Sequence, residues 1–265
     1  MKLKFFTFLV LLFLVLPVFI IIPISFSSSQ YLTFPPKGFS LQWYQNFFTD
    51  SEWTGALFRS LKVGVLSTLV ALVLGIMAAE GLVRCKIPGK KILEEIFMLP
   101  MIVPAIIVAI ALYRFESTLS FSGTIFGLVM AHSLLALPFV ITTVLSRLVS
   151  IDPNLENAAL NLGANRLTAF FRVTFPIIRP AIISASLFAF AISFDELVVT
   201  LFIAGISSQT LPLRIWEDIR TQLDPTITAI ASILIVGVMI AMVLSNLDSF
   251  RKHRVIKDKT SVSGS

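Results

Sequence analysis

Charged side chains are scarce in this sequence, at 14% of residues, and they are absent over stretches longer than 20 residues. That excludes an ordinary soluble domain, in which charges are spread over the whole surface. Cysteine occurs once, as Cys85, which excludes an internal disulfide framework. Histidine occurs twice, as His132 and His253, far apart and with no cysteine or carboxylate cluster beside either. No metal site and no cofactor is expected, and no convergent nucleophile, base and acid set points to a catalytic residue. The phosphate-binding loop of ATPases is also missing. The single Gly-Lys pair is Gly89-Lys90, and the Walker spacing would need glycine at position 84 and serine or threonine at 91, where Arg84 and Lys91 stand.

What fills the sequence is apolar: 56% of the 265 residues, with a mean hydropathy of +0.92. A bilayer core needs about 20 apolar residues per helix. Lipid leaves no partner for an unpaired backbone group, so each such run must be helical. Six runs qualify: about Phe5–Phe26, Val63–Val83, Ile92–Tyr113, Thr124–Leu148, Ala181–Ala204 and Thr226–Leu247. The expected fold is therefore an all-α polytopic membrane protein with six transmembrane helices, in one domain covering 1–265. The first run follows Lys2 and Lys4 like a secretion signal, but its apolar stretch exceeds a signal core of about 7–15 residues and is expected to remain as an anchor.

Lysine and arginine set the orientation. With both ends inside, the cytoplasmic segments hold fifteen of them, including Arg84, Lys86, Lys90 and Lys91 after the second run and the basic tail at 249–265. The outer segments hold six. This asymmetry predicts both termini on the cytoplasmic side. It also explains the isoelectric point near 9.7 without nucleic acid, since the charges flank the spans.

The first outer segment carries Trp43, Tyr44, Phe47 and Phe48 at helical spacing after Ser40, a candidate N-cap. Its aromatic face suits either an interfacial anchor or a contact for an external partner. Within the spans, Glu80 and Arg84 have the spacing of a helical ion pair, and His132 reads as a buried packing residue. Asp195 and Glu196 are adjacent carboxylates inside the fifth run. Such groups persist in a span when they face a bundle interior, a partner or an aqueous path. Two readings stand: a polar helix–helix contact, or a pathway site led by Asp195.

The loop at 150–180 is the most specific segment. Asp152 can cap a short helix with Pro153 in its first position, and Leu155, Ala159 and Leu162 share a face. Gly163 can end that helix in the left-handed conformation. Asn165 or Thr168 can start a second helix, which Pro176 would stop. Two short capped helices on the cytoplasmic side fit a groove on a partner.

Residues 157–176 resemble the permease signature of binding-protein-dependent ABC importers: Glu-Ala-Ala, three residues, glycine, nine residues, then Ile-x-Leu-Pro. Here Asn157, Ala158 and Ala159 are followed at the same spacing by Gly163 and then by Val173, Phe175 and Pro176. Asn157 stands in the glutamate position, with Glu156 just before it. The resemblance extends to Pro88-Gly89-Lys90, to Leu99-Pro100 with Pro104, to Ser193–Gly205, and to Thr210–Trp216 with Asp224-Pro225-Thr226. These stretches are similar to the spermidine/putrescine branch, and within it to the second permease subunit. The resemblance implies a coupling-helix loop between helices 4 and 5 that docks an ATPase. It also implies a second permease subunit, two ATP-binding-cassette ATPase subunits, an extracytoplasmic solute-binding protein and a place in the bacterial inner membrane. A permease for another small solute, such as an opine or a phosphonate, is the alternative. A secondary transporter using Asp195 or Glu196 is the alternative from another class.

Overall fold

The computed structural model describes residues 2–221, 224–240 and 243, and these are almost entirely helical. In chain order the helices are α1 (Lys2–Ser25), α2 (Gln42–Thr49), α3 (Ser51–Arg84), α4 (Lys90–Ile102), α5 (Ala105–Thr118), α6 (Ile125–Val149), α7 (Pro153–Asn161), α8 (Arg166–Asp195), α9 (Val198–Ile203), α10 (Leu211–Thr221) and α11 (Thr226–Ile240). The chain divides into two compact units, Met1–Thr54 with Glu217–Ser265, and Gly55–Trp216.

Four helices are individually long and apolar enough to cross a membrane: α1, α3, α6 and α8. The expectation of six continuous spans is corrected at two of them. The third run is broken into α4 and α5, which are bent by 101°. Pro104 has no N–H to donate and pushes Val103 into an extended conformation (φ −72°, ψ 135°), so the helix stops there and restarts. Counted together, the pair makes a fifth candidate span. The fifth run is also broken. Its helix begins at Arg166, earlier than expected, and ends at Asp195; α9 follows after a break. The last apolar helix, α11, is described to Ile240. The end of the sixth run, 244–247, and the tail 249–265 lie outside the described residues.

Pro176 does not stop a helix. α8 runs through it by way of a π turn at Phe170–Thr174. Widening the turn relaxes the spacing just where a proline ring and a missing donor would otherwise break the ladder. The second run likewise starts earlier, at Ser51, where the Asp50 carboxylate accepts the Glu52 N–H at 2.7 Å.

In the unit Met1–Thr54 with Glu217–Ser265, the aromatic segment is turned inward. Trp43 Nε1 donates to the Ser27 carbonyl at 2.7 Å, and Tyr44 lies 2.6 Å from Ser25 Oγ and donates to Ser232 Oγ at 3.2 Å. Phe47 is buried, while Phe48 is exposed. Ser40 does accept an N–H, from Gln42, although the first helical turn begins one residue later than a direct cap would place it.

In the unit Gly55–Trp216, α3, α6 and α8 meet through small side chains: Ala71, Ala79, Ala136, Ala185 and Ala189 are all fully buried. Small residues let helix backbones approach closely where lipid supplies no hydrophobic driving force. At Gly75 the approach is so close that a Cβ would stand 2.6 Å from Val140 Cγ1. A second cluster joins Val63, Ala109, Leu128, Ala131, Val199 and Ile203 on α3, α5, α6 and α9.

Candidate functional site

Two features of the second unit bear on function, and they lie at opposite ends of the α8 apolar stretch. From Pro176 to Asp195 the helix rises about 28 Å, close to the thickness of a bilayer core.

At one end is the loop with the helix pair. Asp152 accepts the Asn154 N–H at 2.9 Å, and Pro153 occupies the first turn of α7. Gly163 follows the helix at φ +89°, with its N–H on the Leu160 carbonyl at 3.0 Å and the Ala164 N–H on the Ala159 carbonyl at 3.1 Å. These bonds close off carbonyls that a helix end leaves free. Asn165 caps the start of α8 through the Thr168 N–H at 2.7 Å. The tip of the loop is open: Asn157, Ala158 and Gly163 are exposed, Leu162 is 89% exposed, and Leu167 and Phe171 are exposed beside it. Ala159, Val173 and Phe175 are half-buried and Pro176 is exposed. Phe170, Phe171 and Phe175 pack on one another with ring centroids 5.2–6.2 Å apart.

The loop is tied to α3 by charge. Arg84 Nη2 lies 2.6 Å from Glu156 Oε2, and Arg84 Nε lies 3.4 Å from Glu80 Oε1. The Glu80–Arg84 pair was legible from its spacing; the third member was not, because nothing local links Glu156 to α3. The acidic side chain next to the signature position therefore faces inward, onto α3, while the Asn157 side chain is exposed. Arg84 and Glu156 also border a cavity of about 850 Å³ whose apolar wall includes Ile76, Leu160, Leu167 and Phe170.

The three groups are 15–23% exposed, between the surface pair worth about 0–1 kcal/mol and the buried pair whose disruption costs about 3–5 kcal/mol. Arg84→Glu and Glu156→Arg should each lower the thermal stability of the purified protein by unseating the loop from α3. The double exchange should recover a substantial part of it. A double exchange as poor as either single change would show that the charges are not paired in the working protein.

At the other end of α8 is the break. Glu196 has left the helix (φ −71°, ψ 113°), and its carboxylate accepts the Val199 N–H at 2.8 Å, capping α9. Glu196 is thus committed to the backbone. Asp195 is exposed, and its carboxylate makes no hydrogen bond or ion pair with a described residue. Buried polar groups surround the break. His132 is fully buried on α6, with Nδ1 2.8 Å from Ser193 Oγ and Nε2 3.0 Å from Thr200 Oγ1. Ser67 on α3 donates to Ser193 at 2.9 Å. Sequence reading identified His132 as a packing residue, but its partners lie on helices distant in the chain. Among the described residues no group of His, Cys, Asp and Glu is arranged to hold a metal ion.

Residues 71–252 match the family model of the binding-protein-dependent transport system inner membrane component. The chain is 32% identical over 91% of its length to the spermidine/putrescine transport system permease protein PotC of Haemophilus influenzae, covering 94% of that protein. It is 31% identical over 84% of its length to the putrescine transport system permease protein PotI of Escherichia coli, covering 82% of it. It is also 32% identical, over 74% of its length, to the molybdenum transport system permease protein ModB of Escherichia coli. Among solved structures it shares its fold with a chain of a bacterial ABC transporter involved in the import of the acidic polysaccharide alginate. That match has a TM-score of 0.71 and 16% identity, over 92% of this chain and 93% of the other.

Proposed function

The chain belongs to the family of binding-protein-dependent transport system inner membrane components, and from that premise we propose that it forms half of the membrane pathway of an ATP-driven polyamine importer. It is a multi-pass inner membrane permease subunit of the ABC importer type. A solute-binding protein delivers the substrate from outside. A second permease subunit completes the pathway, and two ATPase subunits bind below. The loop at 150–180 is the ATPase-docking element of a single permease domain, with Ala158 and Gly163 at its open tip and Val173, Phe175 and Pro176 at its base.

The observation that carries the substrate class is the exposed Asp195 beside a helix break, its carboxylate without a partner among the described residues. A carboxylate there replaces lost water around an ammonium group and can still release it, as a conducting site must. The same charge opposes an oxyanion at close range. This favours the polyamine reading over the molybdate reading that the third relative would suggest. Greater coverage by the polyamine permeases points the same way. Deletion of this chain should abolish high-affinity uptake of labelled spermidine or putrescine and leave molybdate uptake intact. The reverse pattern would establish the oxyanion reading.

Both termini are placed in the cytoplasm on the lysine and arginine asymmetry. In a Cys85→Ser background, Ser122→Cys should react with an impermeant thiol reagent in intact cells, and Ser265→Cys should react only after permeabilisation. Labelling of position 265 in intact cells would invert the topology.

A further inference from the structure

The imidazole of His132 bonds to both sides of the helix break that carries Asp195. Ser193, bonded to Nδ1, is in the last turn of α8; Thr200, bonded to Nε2, is in the first turn of α9. Asp195, Glu196 and Leu197 lie between them. The chain of bonds continues outward from the ring. Ser67 Oγ lies 2.9 Å from Ser193 Oγ, and Thr200 Oγ1 lies 3.0 Å from the Glu196 carbonyl oxygen. Either tautomer of the ring gives every hydroxyl and ring nitrogen a partner, because Ser67 can also donate to the Gly64 carbonyl; with the proton on Nε2 the bonds run in one direction. Ser67 donates to Ser193, Ser193 donates to Nδ1, Nε2–H donates to Thr200, and Thr200 donates to the Glu196 carbonyl. Ser193 and Thr200 are buried, and the ring is fully buried.

This arrangement does more than fill space. An uninterrupted helix would have taken up the backbone groups at 196–199 in its own ladder. Here the Val199 N–H goes to the Glu196 carboxylate and the Glu196 carbonyl accepts the Thr200 hydroxyl. The broken conformation is therefore built from side-chain bonds, and its two halves are held at a fixed separation by one rigid ring on a third helix. Buried polar groups satisfied in this way specify one conformation, because losing one partner strands another.

We propose that His132 is a positioning residue: it fixes the α8–α9 break and so presents Asp195 to the aqueous path, without itself touching the substrate. The part concerning the break rests on geometry alone; only the part concerning transport rests on Asp195 as the substrate contact.

The test uses the complete transporter in cells, in a Cys85→Ser background, with Asp195→Cys as the reporter. The rate of modification by a small impermeant thiol reagent is measured in intact cells and in inverted vesicles. Thr200→Val, which keeps shape and removes the hydroxyl's bonds to Nε2 and to the Glu196 carbonyl, should change that rate by about fivefold or more, the shift expected when at least one net hydrogen bond is lost from a conformational equilibrium. Ser193→Ala should do the same from the other side of the break. Rates within twofold of the parent for both variants would overturn the proposal, as would a reporter that reacts from neither side.

Uptake kinetics separate the two parts. With Asp195 intact, Thr200→Val should raise the KM for spermidine with little change in maximal rate. A general packing defect would instead lower the maximal rate together with the amount of assembled complex, and would count against positioning. A labelling shift without any change in KM would leave His132 as the residue that sets the break and would remove Asp195 from the substrate path.

Discussion

Gly163→Trp is expected to reduce ATP-coupled uptake by about 30-fold or more, the loss that follows when a central contact worth roughly 2 kcal/mol disappears from an interface. Gly163 sits at φ +89° at the tip of the helix pair, and a Cβ built there meets nothing within 4 Å. The fold of the chain therefore has room for a side chain, and two separate effects remain. One is backbone strain, about 1–2 kcal/mol for a residue with a Cβ in the left-handed region. The other is occupation of the space a partner must enter. Gly163→Ala has the first effect with almost none of the second, so it should retain most of the uptake. Tryptophan has both. Uptake, ATP hydrolysis and co-purification of the ATPase subunit, measured on both variants, separate strain from exclusion. Normal uptake by Gly163→Trp in an assembled complex would contradict a docking role for this tip.

Asp195→Asn is expected to impair uptake of a polyamine while assembly and basal ATP hydrolysis persist. The substitution keeps size and removes the charge. An ammonium 4 Å from a carboxylate gains about 1 kcal/mol in bulk water and about 4 kcal/mol at an effective dielectric constant near 20. The loss should accordingly fall between about fivefold and about a thousandfold, expressed mainly at low substrate concentration. Glu196→Gln is the matched control. Its carboxylate caps α9 through the Val199 N–H, and an amide oxygen can still accept that bond, so transport should change far less. Unchanged uptake by Asp195→Asn at all concentrations would remove the residue from the pathway. Loss of assembly would reassign it to a contact with the other permease subunit.

The parts of this fold that were legible in the sequence are those governed by local composition. The run Thr124–Leu148 became Ile125–Val149, with Thr124 as the cap accepting the Gly127 N–H. Its apolar stretch ends where its own polar residues begin, so hydropathy alone locates it. Asp152, Pro153, Gly163 and Asn165 were equally readable, because each acts on backbone groups within three or four residues of itself. Helix breaks were not. A hydropathy window treats 181–204 as one span, since the Asp195-Glu196 pair is the only charged interruption in an otherwise apolar run. Its capping bond to Val199 becomes visible only once the chain has bent. Pro104 was visible as a residue, but its 101° consequence depends on how α5 packs against α9. Pro176 misled in the other direction, because a π turn absorbed it.

The candidate site shows the same division. The spacing of the signature at Asn157, Ala158, Ala159 and Gly163 is a local pattern. The Arg84–Glu156 pair and the His132 bonds to Ser193 and Thr200 are long-range facts of packing. No periodicity predicts them. A buried histidine surrounded by hydroxyls gave one available signal, since Ser67, Ser193 and Thr200 are polar residues in spans that must find partners where lipid offers none.

This chain is expected to conduct a solute only when partner ATPases act on the loop at 150–180. The direct measurement is uptake of labelled spermidine into proteoliposomes. These hold this chain, its partner permease and the ATPase subunits, with the binding protein on the outside and nucleotide trapped within. ATP should drive accumulation above the external concentration, a non-hydrolysable analogue should not, and removal of either the ATPase or the binding protein should abolish accumulation. Accumulation driven by an ion gradient, with neither ATP nor the ATPase present, would contradict the account and make the chain a secondary transporter.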